Sequence, residues 1–171
     1  MRSPCLFLRT LLPRAIASLS LVLLATTAHA QALPGGAQLG MTAQALREVV
    51  PSLQRVRRPV HMAGGLTGSW RGPVVDIAGV PFAPTFFFAE GELKRVEYLA
   101  DDRAPANGYE SLLAWGRYTW GPELASQGSE ASYATWTSGQ VQAYLQQAGG
   151  AQRAQLRLVV KLLAARDASE L

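Results

Sequence analysis

Residues Thr85–Leu99 read TFFFAEGELKRVEYL: a β-branched and aromatic run, an acid followed by glycine, then a second alternating run. Thr85–Ala89 and Leu93–Leu99 have the composition of strands. Glu90-Gly91 turns the chain between them, with glycine supplying the positive φ of a tight hairpin. Phe86, Phe87 and Phe88 are consecutive, so their side chains alternate between the two faces of the sheet they enter. Bare phenylalanine on both faces invites aggregation, and at least one face is therefore expected under a helix.

Working outward, Thr42 is a good N-cap for a helix over AQALREVV, with Met41 placed to pack on Leu46 and Pro51 as the stop. Leu53–Arg58 reads as a short strand carrying Arg55, Arg57 and Arg58. The glycines and Pro73 of His61–Pro73 (HMAGGLTGSWRGP) predict a loop. Val74–Val80 is another short β-type run, set off by Gly79, Pro81 and Pro84, which favour breaks or edge positions. Asn107 and Glu110 form an Asn-x-x-Glu variant of the capping box ahead of a second helix, in which Tyr109, Leu112, Leu113 and Gly116 keep helical spacing up to Gly121-Pro122. Glu123–Ser132 is polar and loop-like. Tyr133–Thr137 and Gln140–Leu145 read as a hairpin across Ser138-Gly139, with Trp136, Val141, Ala143 and Leu145 as core positions, and Gly149-Gly150 as the next break. Gln155–Leu163 fits a strand or a helix stripe. The strand is preferred because it completes the preceding hairpin.

The order is helix, strands, helix, strands. Hairpin-length loops cannot make parallel crossovers, so the fold class is α+β: an antiparallel sheet with two helices on one face. The shared order also suggests a degenerate helix-plus-hairpin duplication, although no matching residue run accompanies it.

The first thirty residues read as a secretory signal peptide. Arg2, Arg9 and Arg14 form a basic n-region, AIASLSLVLLA an apolar core, and Ala28-His29-Ala30 a small-x-small cleavage site. The run is short for a transmembrane anchor, and Gln31 stands where a lipoprotein needs cysteine. The expected organisation is a leader over 1–30, a flexible lead-in over 31–38 and a single domain over 39–171, periplasmic or secreted. The chain carries 16 Lys plus Arg against 12 Asp plus Glu. Three arginines leave with the leader and no acid does, so the exported chain is near neutral, and general attraction to nucleic acid loses its basis. The only cysteine, Cys5, leaves too, taking thiol and disulfide chemistry with it.

Catalytic and cofactor chemistry find little to stand on. His61 is the one histidine beyond the leader, and Asp76, Glu90, Glu92, Glu97, Asp101 and Asp102 lack ligand spacing, so no metal and no cofactor are expected. Asp101-Asp102 reads as a solvated turn. Ser69, His61 and Asp76 make a triad on paper, without a nucleophile-elbow pattern. GGLTGSWRG lacks the Lys-Ser/Thr ending of a phosphate loop.

Binding residues are better represented. Arg55, Arg57, Arg58 and Arg71 suit an anionic or acidic partner, because guanidinium forks match carboxylates and phosphates, with Arg55 and Arg57 on one strand face and Arg58 on the other; a solvated, edge-protecting strand is the alternative. Trp70 lies beside Arg71. Trp115, Tyr118 and Trp120 cannot all share the Leu112 face of their helix, so they either anchor a partner or pack beneath the following loop.

At LGMTAQALREVVP the chain resembles the opening of small exported modules of the BamE/SmpA type, and FFFAEGELKRVEYL resembles their hairpin. The repeated helix-plus-sheet order is similar to the beta-lactamase-inhibitor-protein fold. These resemblances imply a non-enzymatic protein-binding or envelope-assembly role, with another envelope protein as partner. A small-ligand carrier with a pocket near Trp70, Phe86 and Trp136 is the second expectation, and a small hydrolase the third.

Overall fold

The computed structural model describes residues 32–127, 131–149 and 155–163. The expected leader over 1–30 lies outside them, as does Gly150. In chain order the elements are α1 (Ala43–Val49), β1 (Gln54–His61), a 3-10 turn (Ala63–Gly65), β2 (Thr67–Arg71), β3 (Val75–Ile77), β4 (Val80–Ala89), β5 (Glu92–Ala100), α2 (Gly108–Trp120), β6 (Leu124–Gln127), β7 (Ala131–Ser138), β8 (Val141–Ala148) and β9 (Gln155–Leu162). All pairings are antiparallel, in the order β1-β2-β4-β5-β9-β8-β7-β6, with β3 pairing β4 beyond the end of β2. The fold class is α+β, dominated by sheet.

The β4–β5 hairpin forms as its sequence dictates. Glu90 and Gly91 take φ of +54° and +80°, the primed turn that matches strand twist. Phe86 faces the main core, Phe87 is buried on the other face, and Phe88 packs partly buried on the core after a bulge between Phe87 and Phe88. The final segment is a strand, and it does more than extend a hairpin. β9 lies between β8 and β5, pairing Val96 with Val160 and Tyr98 with Leu158, so the last strands of the two halves meet at mid-sheet.

The core gathers inward-facing residues of the central strands, among them Phe82, Phe86, Tyr98, Leu145 and Leu158, in one cluster with Leu46 of α1 and Leu112 of α2. Full burial of one such side chain contributes about 1.5–3 kcal/mol. Thr42 caps α1, its Oγ1 accepting from Ala45 N–H at 3.2 Å. On α2, Gly116 lies against Trp136, where a Cβ would stand 2.4 Å from the ring. Gly121, with φ of +89°, ends that helix before Pro122.

Several expectations are corrected. The predicted loop His61–Pro73 contains β2, a strand inside the sheet. Its Gly68 marks a close approach rather than a turn, since a Cβ there would be 2.7 Å from the Phe87 ring. Pro81 and Pro84 do not break β4. Pro84 O accepts from Gly72 N–H at 3.0 Å, so the proline's missing N–H lies on the side where β2 ends and leaves the β4–β5 ladder intact. The turn at Ala78-Gly79 instead divides Val74–Val80, giving β3 to one side and the start of β4 to the other. The polar stretch after Pro122 forms β6, paired to β7. Asn107 makes no side-chain capping bond, because its backbone (φ −90°, ψ 15°) is already turned toward the helix rather than extended. The lead-in is pinned: Leu33 and Ala37 are buried, and Tyr98 Oη donates to Pro34 O at 3.0 Å.

Candidate functional site

Three local features converge at the β1 end of the sheet. The last turn of α1 carries Arg47, the outermost strand carries Arg55, Arg57 and Arg58, and β2 supplies Trp70 and Arg71. Register places Trp70 between Arg55 of β1 and Phe86 of β4, so the three side chains share one face. Two guanidiniums stack on the indole, with Arg47 Cζ 5.0 Å and Arg55 Cζ 5.9 Å from the ring centroid. Each such contact is worth about 0.5–1 kcal/mol when exposed, and it holds the guanidinium in a restricted orientation.

Beyond Arg55 the ladder opens. The pairing of β1 with β2 is interrupted between Arg55 and Val60, and Arg57, Arg58 and Pro59 occupy the interval, all exposed. Arg71 lies opposite Gln54 on one side and Thr85 on the other.

The charge balance of this edge differs from the rest of the molecule. Lys94, Arg95, Arg103, Arg117 and Arg157 each hold a carboxylate: Glu92, Glu97, Asp101, Glu123 and, shared with Arg95, Glu97. Arg47, Arg55, Arg57, Arg58 and Arg71 make no ion pair among the described residues, and all of them are exposed. Overall composition thus conceals a local concentration of positive charge, which attracts anionic groups and repels a like edge.

Of the sequence-derived site residues, the structure brings Arg55, Arg57, Trp70 and Arg71 together and separates them from Trp115, Tyr118 and Trp120. The two tryptophans of α2 are partly buried against the core. Trp115 meets Trp120 edge-on at 4.9 Å, and Trp120 tilts against Trp136 at 5.5 Å. Trp136 Nε1 donates to Gly121 O at 3.1 Å, closing the cluster beneath the helix end. Tyr118 projects outward, 93% exposed. Arg47 was not singled out from the sequence. Its only signal was a basic residue in the last turn of a capped helix, and nothing in sequence told that this turn would lie over Trp70.

The remaining constellations disperse. His61 Nδ1 lies 3.2 Å from Thr67 Oγ1, and Asp76 Oδ1 accepts from Gly79 N–H at 2.9 Å, while no hydrogen bond joins His61, Ser69 and Asp76 among the described residues. Asp101 accepts from Arg103 N–H at 2.8 Å and from its Nε at 2.9 Å, and this pairing holds the Asp101 carboxyl below its ordinary range. No group of three or more His, Cys, Asp or Glu placed to hold a metal occurs among the described residues. No helix among them is long and apolar enough to cross a membrane. Trp70 and Trp136 lie on strands five places apart in the sheet, about 24 Å at ordinary strand spacing, so no small pocket is lined by both.

On the face opposite the core cluster a second polar arrangement crosses the central seam. Arg95 lies over the Phe87 and Tyr144 rings, at 5.6 Å and 5.9 Å, and donates to Glu97 Oε2 and Tyr144 Oη. Glu97 also accepts from Arg157 Nε at 2.6 Å. These contacts run across β5, β8 and β9 and tie the two halves together, while Arg95 Nε is buried without a hydrogen-bond partner.

No family model matches the chain, and no curated protein and no solved structure matches it.

Proposed function

We propose that this protein is an exported, non-enzymatic interaction module of the periplasm that docks another envelope protein through the arginine edge around Trp70. The observation that carries the reading is the clustering of exposed arginines without carboxylate partners at one end of the sheet, when the other described arginines are paired. Uncompensated like charges destabilise a surface through mutual repulsion, and a partner's carboxylates relieve it. Arginine and tryptophan are also the side chains most enriched among residues that dominate binding energy.

Three further elements belong to the same reading. The leader is removed after Ala30 and delivers the chain to the envelope. Both helices lie on one sheet face, supported by the single cluster that joins Leu46 and Leu112 to the inward strand residues. The two halves descend from one duplicated helix-plus-meander unit, supported by a strand order that runs outward from the centre as β5-β4-β2-β1 on one side and β9-β8-β7-β6 on the other. The resemblance of the opening helix and first hairpin to BamE/SmpA-type modules accords with an envelope role.

Site-specific photocrosslinking in intact cells tests the reading. A photoreactive residue replacing Arg57 is expected to yield an adduct with a discrete envelope protein, and one replacing Tyr118 is expected to yield none. An adduct confined to Tyr118 would move the docking surface to α2. Absence of adducts at both positions would contradict a docking role.

A further inference from the structure

The arginine edge borders a pocket that the docking reading does not itself require. A cavity of about 150 Å³ lies between the end of α1, the turn after β2 and the middle of β4, lined by Val49, Val50, Pro73, Val75, Pro84 and Phe86 among others. Its walls are mostly apolar, with Ser52 and exposed backbone supplying the polar part, and it opens to solvent where Val49 is 44% exposed. Sites for drug-sized ligands usually span about 300–1,000 Å³, so this one is small for such a ligand. A cavity near 150 Å³ lined by aliphatic and aromatic groups accepts a benzene-sized body, the size of one phenylalanine or leucine side chain.

Phe86, which lines the pocket, is also the register partner of Trp70, and Trp70 is the partner of Arg55. Pocket and stacked guanidiniums therefore occupy one face, with Arg55 two strands from Phe86, about 10 Å away. An extended chain covers that distance in about three residues. Arg47 stacks on the Trp70 ring between them.

We propose, resting on the docking reading, that pocket and arginines form one peptide-binding site that takes a single Phe or Leu side chain from an acidic segment of the partner protein. The anchor side chain enters the pocket, and carboxylates two or three residues away meet Arg47 and Arg55. Charge complementarity selects this occupant over a second copy of the chain, whose arginines would oppose these.

The probe is a fluorescein-labelled peptide, Glu-Asp-Glu-Phe-Glu-Asp-Glu, titrated at low salt against the protein as purified from its expressing cells. Saturable binding is expected, at least tenfold weaker for the peptide with Phe→Ala and at least tenfold weaker for the peptide with its acids changed to amides. The Val49→Glu variant, with a carboxylate at the pocket mouth, is expected to lose binding at least tenfold at an unchanged unfolding temperature. The Phe→Ala peptide leaves the protein untouched, so the comparison holds even if that variant unfolds. Equal affinity for the Phe and Ala peptides would overturn the pocket's role and leave only charge attraction. Preference for phosphatidylglycerol vesicles over the peptide would make the occupant a membrane surface and overturn the proposal. No peptide binding, alongside a crosslink from position 57, would sink this inference and leave the docking reading standing.

Discussion

Gly116 shows how one missing methyl group can fix the seat of a helix. A Cβ at this position would lie 2.4 Å from Trp136 Cζ2, and the ring cannot retreat freely because its Nε1 is bonded to Gly121 O and its other side meets Trp120. Gly116→Ala therefore trades a favourable helix propensity for overpacking, and is expected to lower stability by about 1–3 kcal/mol in a denaturant titration. Tyr98 makes the complementary case. Burial raises its phenol pKa well above the ordinary value, and the neutral hydroxyl donates to Pro34 O. Tyr98→Phe keeps the packing and leaves that carbonyl without its partner, so equilibrium unfolding should show a loss of about 1–3 kcal/mol. Sequence periodicity anticipated Gly116 on the inner helix face. It could not anticipate Pro34, because the contact joins residues 64 positions apart. Trp115 and Trp120 were open to either packing or docking in the sequence. Helical spacing kept Trp115, Tyr118 and Trp120 from all sharing the Leu112 face, and Tyr118 is the one left outside; it could not tell that Trp136 would rise from β7 to receive the other two.

Caps and clamps decide how the elements end. Thr42 Oγ1 satisfies an otherwise orphaned N–H of α1, and Thr42→Ala is expected to cost about 1 kcal/mol. Asn107 makes no such bond, so Asn107→Ala should change the unfolding free energy by less than about 0.5 kcal/mol. The two substitutions, measured side by side, separate a residue type that merely favours caps from one that forms a cap. At the other end of α2, Arg117 grips Glu123 with two bonds, Nε to Oε2 at 2.8 Å and Nη2 to Oε1 at 2.6 Å. The Arg117 guanidinium holds the Glu123 carboxyl below its ordinary range. A depressed folded-state value stabilises above the unfolded pKa and loses that contribution as pH falls through the folded value. NMR titration of Glu123 should thus find its midpoint below the usual carboxylate value, and Arg117→Ala should bring it upward. The elements themselves were largely legible: α1, the β4–β5 hairpin and the body of α2 follow from caps, turns and alternation, whereas the spacing of Gln155–Leu163 fitted strand and helix alike and only pairing decides it. β2 was hidden by its glycines, which signal turns in sequence, whereas Gly68 makes room for Phe87. β6 was hidden by polarity, since a short strand paired on one side needs no hydrophobic alternation.

At the scale of the molecule, the order of strands places unlike charges at the seam and like charges at the edge. Joining β5 to β9 puts Glu97 between Arg95 and Arg157, so the guanidiniums in the middle of the sheet have a carboxylate partner. The β1 end receives Arg47, Arg55, Arg57, Arg58 and Arg71 with no acid paired to them. Composition alone did not show this concentration, because composition is blind to segregation. The sequence did mark Arg55, Arg57, Trp70 and Arg71 one by one. What it left out was the register that stacks Arg55 on Trp70 and the helix turn that adds Arg47. The measurement that tests this account most directly is the affinity of the protein captured at position 57, compared between wild type and the Arg55→Glu/Arg57→Glu double variant across a salt series. The account predicts at least a tenfold loss of affinity at low salt, a flatter salt dependence, and a loss of stability of no more than about 1 kcal/mol, the worth of the exposed Arg55–Trp70 contact. Equal affinity and equal salt dependence in the two proteins would contradict it.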